Sequence, residues 1–153
     1  MRLWHKDLIK YLPTKQLRGQ WRECFLVAKE LKEGTLNHAI VNRVKDYPVE
    51  HFVRYCQIVA SEMHRRGYGA DWLSLWHIIG FEETMVGVIH TNAKDIFTDW
   101  HNDRYMFQCL YNLQEKYDCG SIPKEEWEAI RQFVMSHDDD WDASVSSTIY
   151  LYK

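Results

Sequence analysis

Apolar positions in the N-terminal part of the chain recur at helical spacing. Between residues 14 and 32 they fall every three or four positions, at Leu17, Trp21, Cys24, Phe25, Ala28 and Leu31. Pro13 and Thr14 favour the start of a helix, and Gly34 favours its end. The pattern therefore predicts a first helix from about Thr14 to Lys32 that buries this apolar stripe.

A basic stripe occupies another face of the same predicted helix. It consists of Lys15, Arg18, Arg22 and Lys29 and is broken only by Leu26. Glu23 lies at its border, about one turn from Gly19, and a glycine inside a helix costs about 1 kcal/mol relative to alanine. Close approach of another backbone or of a ligand is one reason to accept that cost. The stripe is either a solvated face or a surface for phosphates, and Glu23 is either an ordinary exposed residue or a catalytic group.

The second predicted helix follows an irregular connection. Residues 35–47 are expected to form this connection, with a short extended piece reading HAIVNRV. Pro48 suits the first turn of a helix, and Arg65, Arg66 and Gly67 suit its end. The apolar face between them is formed by Val49, Phe52, Val53, Cys56, Val59, Ala60 and Met63.

Signals weaken after Gly67 and return near residue 102. DWLSLWHII is compatible with a short helix, whereas TMVGVIH is left unassigned. A third long helix is expected from about Asn102 to Tyr117, and a fourth over PKEEWEAIRQFVMS with Ser121 as its cap. With no repeat or linker to divide it, residues 1–153 are predicted to form one compact domain. Its fold class is mostly α, with three to four principal helices and irregular connections.

The composition is that of a globular protein without a membrane span or a secretory signal. Charged residues make up 27% and apolar residues 46% of the chain. No apolar run approaches the roughly 20 residues that a span needs, and Lys6, Asp7 and Lys10 interrupt the N-terminal segment. The four cysteines form no CxxC pair and no metal-ligand spacing with the histidines. We expect reduced thiols, a cytoplasmic location, no membrane contact and no metal or other cofactor.

Charge is distributed unevenly along the chain, although its net value is only −3. Residues 1–32 carry eight Lys or Arg and three Asp or Glu, which is +5, whereas residues 121–153 carry three and seven, which is −4. A local basic face can bind phosphates whatever the total charge. The distribution therefore leaves nucleic-acid binding open, while the net charge argues against a strong, non-specific binder.

The chain start can itself be a reactive group. Arg2 is large, and removal of an initiator methionine generally requires a small second residue, so Met1 is expected to keep the free α-amine. An α-amine is less basic than a lysine amine, so more of it is neutral at pH 7. A neutral amine can attack an aldehyde-like sugar carbon and form an imine. Because every chain has such an amine, this chemistry is relevant only if an acid–base group such as Glu23 lies near the Met1 α-amine.

Three stretches of the chain resemble the pyrimidine-dimer DNA glycosylase/AP-lyase family (phage endonuclease V type). They are MRLW at the start, QLRGQWRE at Gln16–Glu23, and FVRYCQIVASEMHRRGY at Phe52–Tyr68, and the resemblance covers roughly the first 70 residues. The C-terminal IYLYK is similar to the aromatic, basic end of the family. Three features differ. Met1 itself would be the nucleophile where the phage enzyme has a small residue exposed by methionine removal, Gln16 stands where the family has a histidine, and Leu26 stands where it has an arginine. The lesion that is recognised is therefore left open.

The resemblance implies a metal-independent, helical DNA repair enzyme that acts on double-stranded DNA at pyrimidine dimers or abasic sites. Met1 would supply the amine that forms an imine (Schiff base) with the sugar, and Glu23 would stabilise charge and transfer protons. Strand cleavage by β-elimination would make the protein an AP lyase and an endonuclease. DNA would be held by Arg2, Lys15, Arg18, Arg22 and Lys29.

A non-catalytic function is the alternative. The same fold, possessed by a phage or a mobile element, would serve as a nucleic-acid- or protein-binding module that uses aromatic and acidic surfaces such as DDDWD. In that case binding would survive Glu23→Gln and no covalent complex with DNA would form.

Overall fold

The structure is a computed structural model, and it describes residues 1–80 and 91–137. Within these ranges all regular elements are helical, which confirms the mostly-α fold class. A 3₁₀ helix, Lys6–Tyr11, is followed by α1 (Thr14–Glu33), α2 (Ala39–Lys45), α3 (Val49–Arg65), α4 (Trp72–Ile79), α5 (Asp103–Asp118) and α6 (Lys124–His137). The four long helices, α1, α3, α5 and α6, are the principal elements expected from the periodicity.

Helix α1 has the predicted limits and the predicted buried side. It ends at Gly34, whose φ of +66° lies in the left-handed region that glycine adopts without strain. Its buried residues are Leu17, Gln20, Trp21, Cys24, Val27 and Ala28, while Phe25 and Leu31 are partly buried against the same core. Gln20 is a polar residue on this buried side, and periodicity alone does not predict it.

The expectation of an irregular, partly extended connection at residues 35–47 is wrong, because Ala39–Lys45 form helix α2. The His38 side chain caps this helix by accepting a hydrogen bond from the Ile40 N–H at 3.1 Å. Val41 and Val44, three positions apart, both face the core. Burial of these β-branched side chains on a helix outweighs their preference for strands.

The second predicted helix and the short helix after it are confirmed. Helix α3 begins at Val49 directly after Pro48, and Gly67 lies beyond its end with a φ of +83°. Helix α4 is capped by Asp71, whose carboxylate accepts a hydrogen bond from the Ser74 N–H at 3.1 Å. The unassigned stretch TMVGVIH and the acidic-to-aromatic tail from residue 138 onwards lie outside the described residues.

The last two helices follow the expected pattern with one correction. In α5, capped by Asn102, the inward positions Met106, Leu110 and Leu113 are buried. Ser121 does not cap α6, because the first helical hydrogen bond runs from the Trp127 N–H to the Pro123 carbonyl. The Ser121 N–H instead donates to the Lys116 carbonyl and closes the end of α5.

The core includes the chain start as well as the long helices. Leu3, Trp4, Leu8 and Ile9 belong to the same buried cluster as the apolar faces of α1, α3, α5 and α6. All four cysteines are free thiols, three of them buried. Over the described ranges, none of the helices is long and apolar enough to cross a membrane. The N-terminal segment thus packs as part of the hydrophobic core, whereas Met1 is exposed at the surface.

Candidate active site

The main chain of the N-terminal segment runs across the polar border of α1. The Arg2 N–H donates a hydrogen bond to Oε2 of Glu23 at 2.8 Å, and the Trp4 N–H donates to Oε1 of Gln20 at 2.8 Å. Gln20 and Glu23 are three residues apart and so lie on the same side of the helix. The two donors, the N–H groups of Arg2 and Trp4, are likewise two residues apart and so match this pair of acceptors.

This arrangement brings the Met1 α-amine close to the carboxylate of Glu23. Covalent geometry keeps an amine nitrogen within about 4 Å of the next backbone nitrogen. Since that next nitrogen is Arg2 N, 2.8 Å from Oε2 of Glu23, the amine lies at most about 7 Å from the carboxylate by the same bond lengths. Met1 is 38% exposed and Glu23 is half-buried. A substrate atom or one water molecule fits between such groups.

Two carbonyl groups of the N-terminal segment accept hydrogen bonds from side chains of other helices. Tyr105 of α5 donates its hydroxyl proton to the Leu3 carbonyl at 2.6 Å, and Tyr55 of α3 donates to the Trp4 carbonyl at 2.7 Å. The Lys6 N–H donates to Nδ1 of His101 at 2.9 Å. These partners are 51 to 102 residues away in sequence. Helical spacing relates Gln20 to Glu23, but no local pattern connects Tyr55, Tyr105 or His101 to the chain start.

Two stacked histidines lie beneath the segment. The rings of His5 and His101 are 5.1 Å apart, and both residues are buried. Burial, followed by the charges of His5, Lys6 and Arg43, lowers the pKa of His101 to about 2. Burial likewise lowers the pKa of His5, against the opposing effect of Asp7. Both rings are therefore neutral at pH 7, and His101 carries its proton on Nε2 because Nδ1 accepts from Lys6.

The Arg2 side chain is turned partly inward. Its guanidinium carbon lies 5.3 Å from the centre of the Trp4 ring. The nearby Cys109 thiol is buried, and burial raises its pKa while the His5 backbone N–H and the Arg2 charge lower it. Arg2 is half-buried, so part of its donor set faces the protein. The expected contact of Arg2 with DNA phosphate remains a prediction.

Three of the four basic-stripe residues line one cleft. Lys15, Arg18 and Arg22 flank a cavity of about 650 Å³ between the beginning of α1 and the beginning of α6. Lys29 is not part of this cleft, and it pairs with Glu33 at 4.0 Å one turn along the helix. The structure therefore groups Lys15, Arg18 and Arg22 and separates Lys29 from them.

The cleft combines positive charge with an apolar floor. Trp21 and Met63 contribute apolar surface, and Arg18 also lies 5.7 Å from the centre of the Tyr68 ring. Oε1 of Gln16 is buried there without a hydrogen-bond partner among the described residues. A polar acceptor, three cations and an aromatic ring in one recess suit a charged, partly aromatic ligand such as a nucleic-acid strand.

Gly19 leaves free space between the cleft and Glu23. A Cβ added at this position would meet only Arg22, at 4.0 Å, which is an ordinary contact distance. Packing within the described chain therefore does not require glycine here. The helix surface beside Glu23 is open to close approach from outside, which is consistent with the ligand interpretation of this glycine.

Over residues 1–80 and 91–137, His, Cys, Asp and Glu side chains do not converge in threes with metal-binding geometry. The polar groups that converge at the site are an α-amine, a carboxylate and cationic side chains, which are suited to acid–base, nucleophilic and phosphate-binding roles.

Comparison with known proteins finds one family model that matches the N-terminal part of the chain. The family model described as pyrimidine dimer DNA glycosylase matches residues 1–73. No curated protein and no solved structure matches the chain significantly. The matched range includes the segment from Met1, the border residues of α1 and all of α3. It indicates a DNA glycosylase kind of function with DNA as substrate. The N-terminal part of this chain, residues 1–73, is thus matched by the pyrimidine dimer DNA glycosylase family.

Proposed function

We propose that the protein is a DNA glycosylase and AP lyase in which the Met1 α-amine is the nucleophile and Glu23 the acid–base group. The single observation that carries this proposal is the 2.8 Å hydrogen bond from the Arg2 N–H to Glu23, which holds the chain start beside the carboxylate. The family match of residues 1–73 supports the substrate class. The proposed substrate is double-stranded DNA with a pyrimidine dimer or an abasic site.

The first chemical step replaces the bond between sugar and base. The amine nitrogen of Met1 bonds to C1′ as the C1′–N bond breaks, and the base leaves with the bonding electrons. The nitrogen then loses a proton, the C1′–O4′ bond opens, and an imine links Met1 to the sugar. Glu23 stabilises the positive charge that develops on the sugar and accepts or returns protons during the rearrangement.

The second step cuts the strand. The imine withdraws electrons from C1′ and so makes a C2′ proton more acidic. Removal of that proton forms a C2′–C3′ double bond, and the C3′–O bond to the phosphate breaks as the phosphate leaves. Glu23 is the side chain proposed to accept this proton, because it is the carboxylate held beside the chain start. Hydrolysis of the imine then releases the α-amine.

DNA is proposed to lie along the cleft beside α1. Lys15, Arg18 and Arg22 would contact phosphates within reach of Glu23, since Arg22 directly precedes it on the helix. Arg2 and Lys29 are proposed to contribute at the two sides of this path. Arg2 would do so through the donors that its contact with Trp4 leaves available, and Lys29 from its exposed position six residues after Glu23 on the same helix.

Borohydride trapping on abasic duplex DNA tests this function. Reduction of the imine should give a stable protein–DNA complex, and Glu23→Gln should lower strand cleavage at least 100-fold, the range for loss of an acid–base group. Glutamine keeps an oxygen that can accept the Arg2 N–H, so the fold should be retained. Glu33→Gln on the same helix is the matched control and should cleave normally. Failure to trap a complex, with DNA still bound, would favour the non-catalytic binding module.

A further inference from the structure

Four buried or half-buried side chains converge on the main chain of residues 3–6. They come from separate parts of the fold: Gln20 from α1, Tyr55 from α3, Tyr105 from α5, and His101 from the turn before α5. Their bonds to this segment are 2.6 to 2.9 Å long. Each is a side chain bonded to the backbone, so the segment is fixed irrespective of its own side chains.

Trp4 is held on both sides. Its N–H donates to Gln20 and its carbonyl accepts from Tyr55, while the preceding carbonyl of Leu3 accepts from Tyr105. With Leu3 and Trp4 fixed in this way, only two residues separate the anchored backbone from the α-amine. Free chain ends ordinarily fray. Here the fraying length is reduced to about one residue, and the Arg2 contact with Glu23 limits it further.

Packing alone does not explain why a glutamine, and not an apolar residue, occupies position 20. Gln20 is 1% exposed, and its Nε2 group has no hydrogen-bond partner among the described residues. An apolar residue at this position of α1 would avoid burying that unsatisfied amide. What the glutamine provides is an acceptor for the Trp4 N–H. A polar group retained at such a cost suggests a requirement on the position of the segment.

We propose that Tyr105 and Gln20 are positioning residues of the reaction, which hold the N-terminal segment in the register that presents the Met1 α-amine to Glu23. This inference rests on the proposed imine chemistry. Reaction between two groups falls steeply when one is displaced by about 1 Å, by as much as about 100-fold. Loss of either anchor loosens the segment at Leu3 or Trp4 and lets the amine move without altering Glu23 or the DNA cleft.

Single-turnover trapping at saturating abasic DNA tests this role. Tyr105→Phe keeps the ring, which contacts Trp100 and His101, and removes only the hydroxyl bonded to Leu3. We expect the trapping rate to fall about 10- to 100-fold, while the dissociation constant for DNA stays within about twofold, since the basic cleft is unchanged. Tyr117→Phe, on the same helix with its ring stacked on Trp127, is the control and should trap at the parental rate.

A second variant guards against a purely structural effect. Gln20→Met keeps the length of the side chain and removes the acceptor for Trp4, so it should slow trapping in the same way as Tyr105→Phe. Circular dichroism at the assay temperature gives the folded fraction of each variant. Parental trapping rates per folded molecule in both variants would overturn the positioning role. A parental protein that does not trap would instead overturn the proposed function, so the two failures are distinguishable.

Discussion

The residue that defines the site is Glu23, because its carboxylate joins the chain start to the helix surface. The Arg2 N–H donates a hydrogen bond to Oε2 of Glu23 at 2.8 Å, which fixes the Glu23 side chain. The same bond places the Met1 amine within about 7 Å of the carboxylate. Glu23 is half-buried, at the boundary between the apolar and basic sides of α1. Its position therefore combines an anchoring role for the backbone with the proposed proton transfer.

Adding one alanine before Met1 should abolish covalent trapping. The anchors at Leu3 and Trp4 keep the original register, so the new amine is displaced by about 3.5 Å, one residue of extended chain. DNA binding should stay near the parental level because the cleft is untouched. The measurement is borohydride trapping beside a binding titration on the same abasic duplex. Efficient trapping by the extended protein would contradict a fixed amine position.

Acidification should destabilise the protein through His101. The unfolded chain protonates this histidine below its ordinary value of 6.5, whereas the folded chain, with a pKa of about 2, does not. The folded state is thus favoured fully above pH 6.5 and loses stability as the pH falls towards 2. Between pH 7 and pH 5 the free energy of unfolding should drop by up to about 2 kcal/mol on account of this group.

Urea unfolding of the parental protein and of His101→Asn at both pH values measures this contribution. The variant should be less stable at pH 7, since the acceptor for the Lys6 N–H is changed. Its stability should nevertheless decrease less between pH 7 and pH 5 than that of the parental protein. Equal decreases in the two proteins would show that His101 is not the group responsible.

Among the elements, α1 carries the site because its faces meet different partners. Its apolar side packs in the core, its border residues Gln20 and Glu23 bind the N-terminal segment, and its basic side lines the cleft. A single helix thus relates the proposed acid–base group to the proposed phosphate contacts. The rigidity of a 20-residue helix maintains that relation.

Removing one charge from the cleft should weaken DNA binding in a salt-dependent manner. For Arg22→Gln we expect the slope of log K against log salt to become less steep by about 0.9, the value for one phosphate contact. Lys29→Gln should have a smaller effect, because Lys29 lies outside the cleft and pairs with Glu33. Arg131→Gln, which breaks an ion pair with Glu128 on α6, is the control. An unchanged slope for Arg22→Gln would exclude the cleft as the DNA path.

Local sequence patterns account for the elements better than for the site. The limits of α1 and α3 follow from apolar periodicity together with Pro48, Gly34 and Gly67, all of which act within a few residues. Local patterns do not predict helix α2, because its helical conformation is favoured by packing of its two buried valines against the core. Tyr105 is 102 residues from its partner Leu3. A contact of that separation depends on the whole fold and leaves no periodic signal.

At the scale of the whole molecule, the N-terminal site depends on residues beyond the family match. The match ends at residue 73, yet Tyr105 and His101 hold the chain start. Tyr11 stacks on Phe133 of α6 at 4.3 Å, and the buried cluster combines residues from both parts. The match thus indicates only a DNA glycosylase kind of function, while the fold that positions the chain start extends to α5 and α6.

A fragment of residues 1–79 should therefore neither fold cooperatively nor trap DNA. It keeps α1 to α4 but exposes the apolar surface that α5 and α6 cover, and a chain of this length has little other core. Thermal unfolding followed by near-ultraviolet circular dichroism, beside the full-length protein, is the measurement. A sharp transition in the fragment would contradict this dependence.

The most direct measurement identifies the atom that binds the sugar. After borohydride trapping on abasic DNA, proteolysis and tandem mass spectrometry locate the adduct within the chain. The account predicts a single adduct on the α-nitrogen of Met1, lost in Glu23→Gln. Attachment to a lysine side chain such as the exposed Lys10, with an unmodified N-terminus, would contradict the central claim.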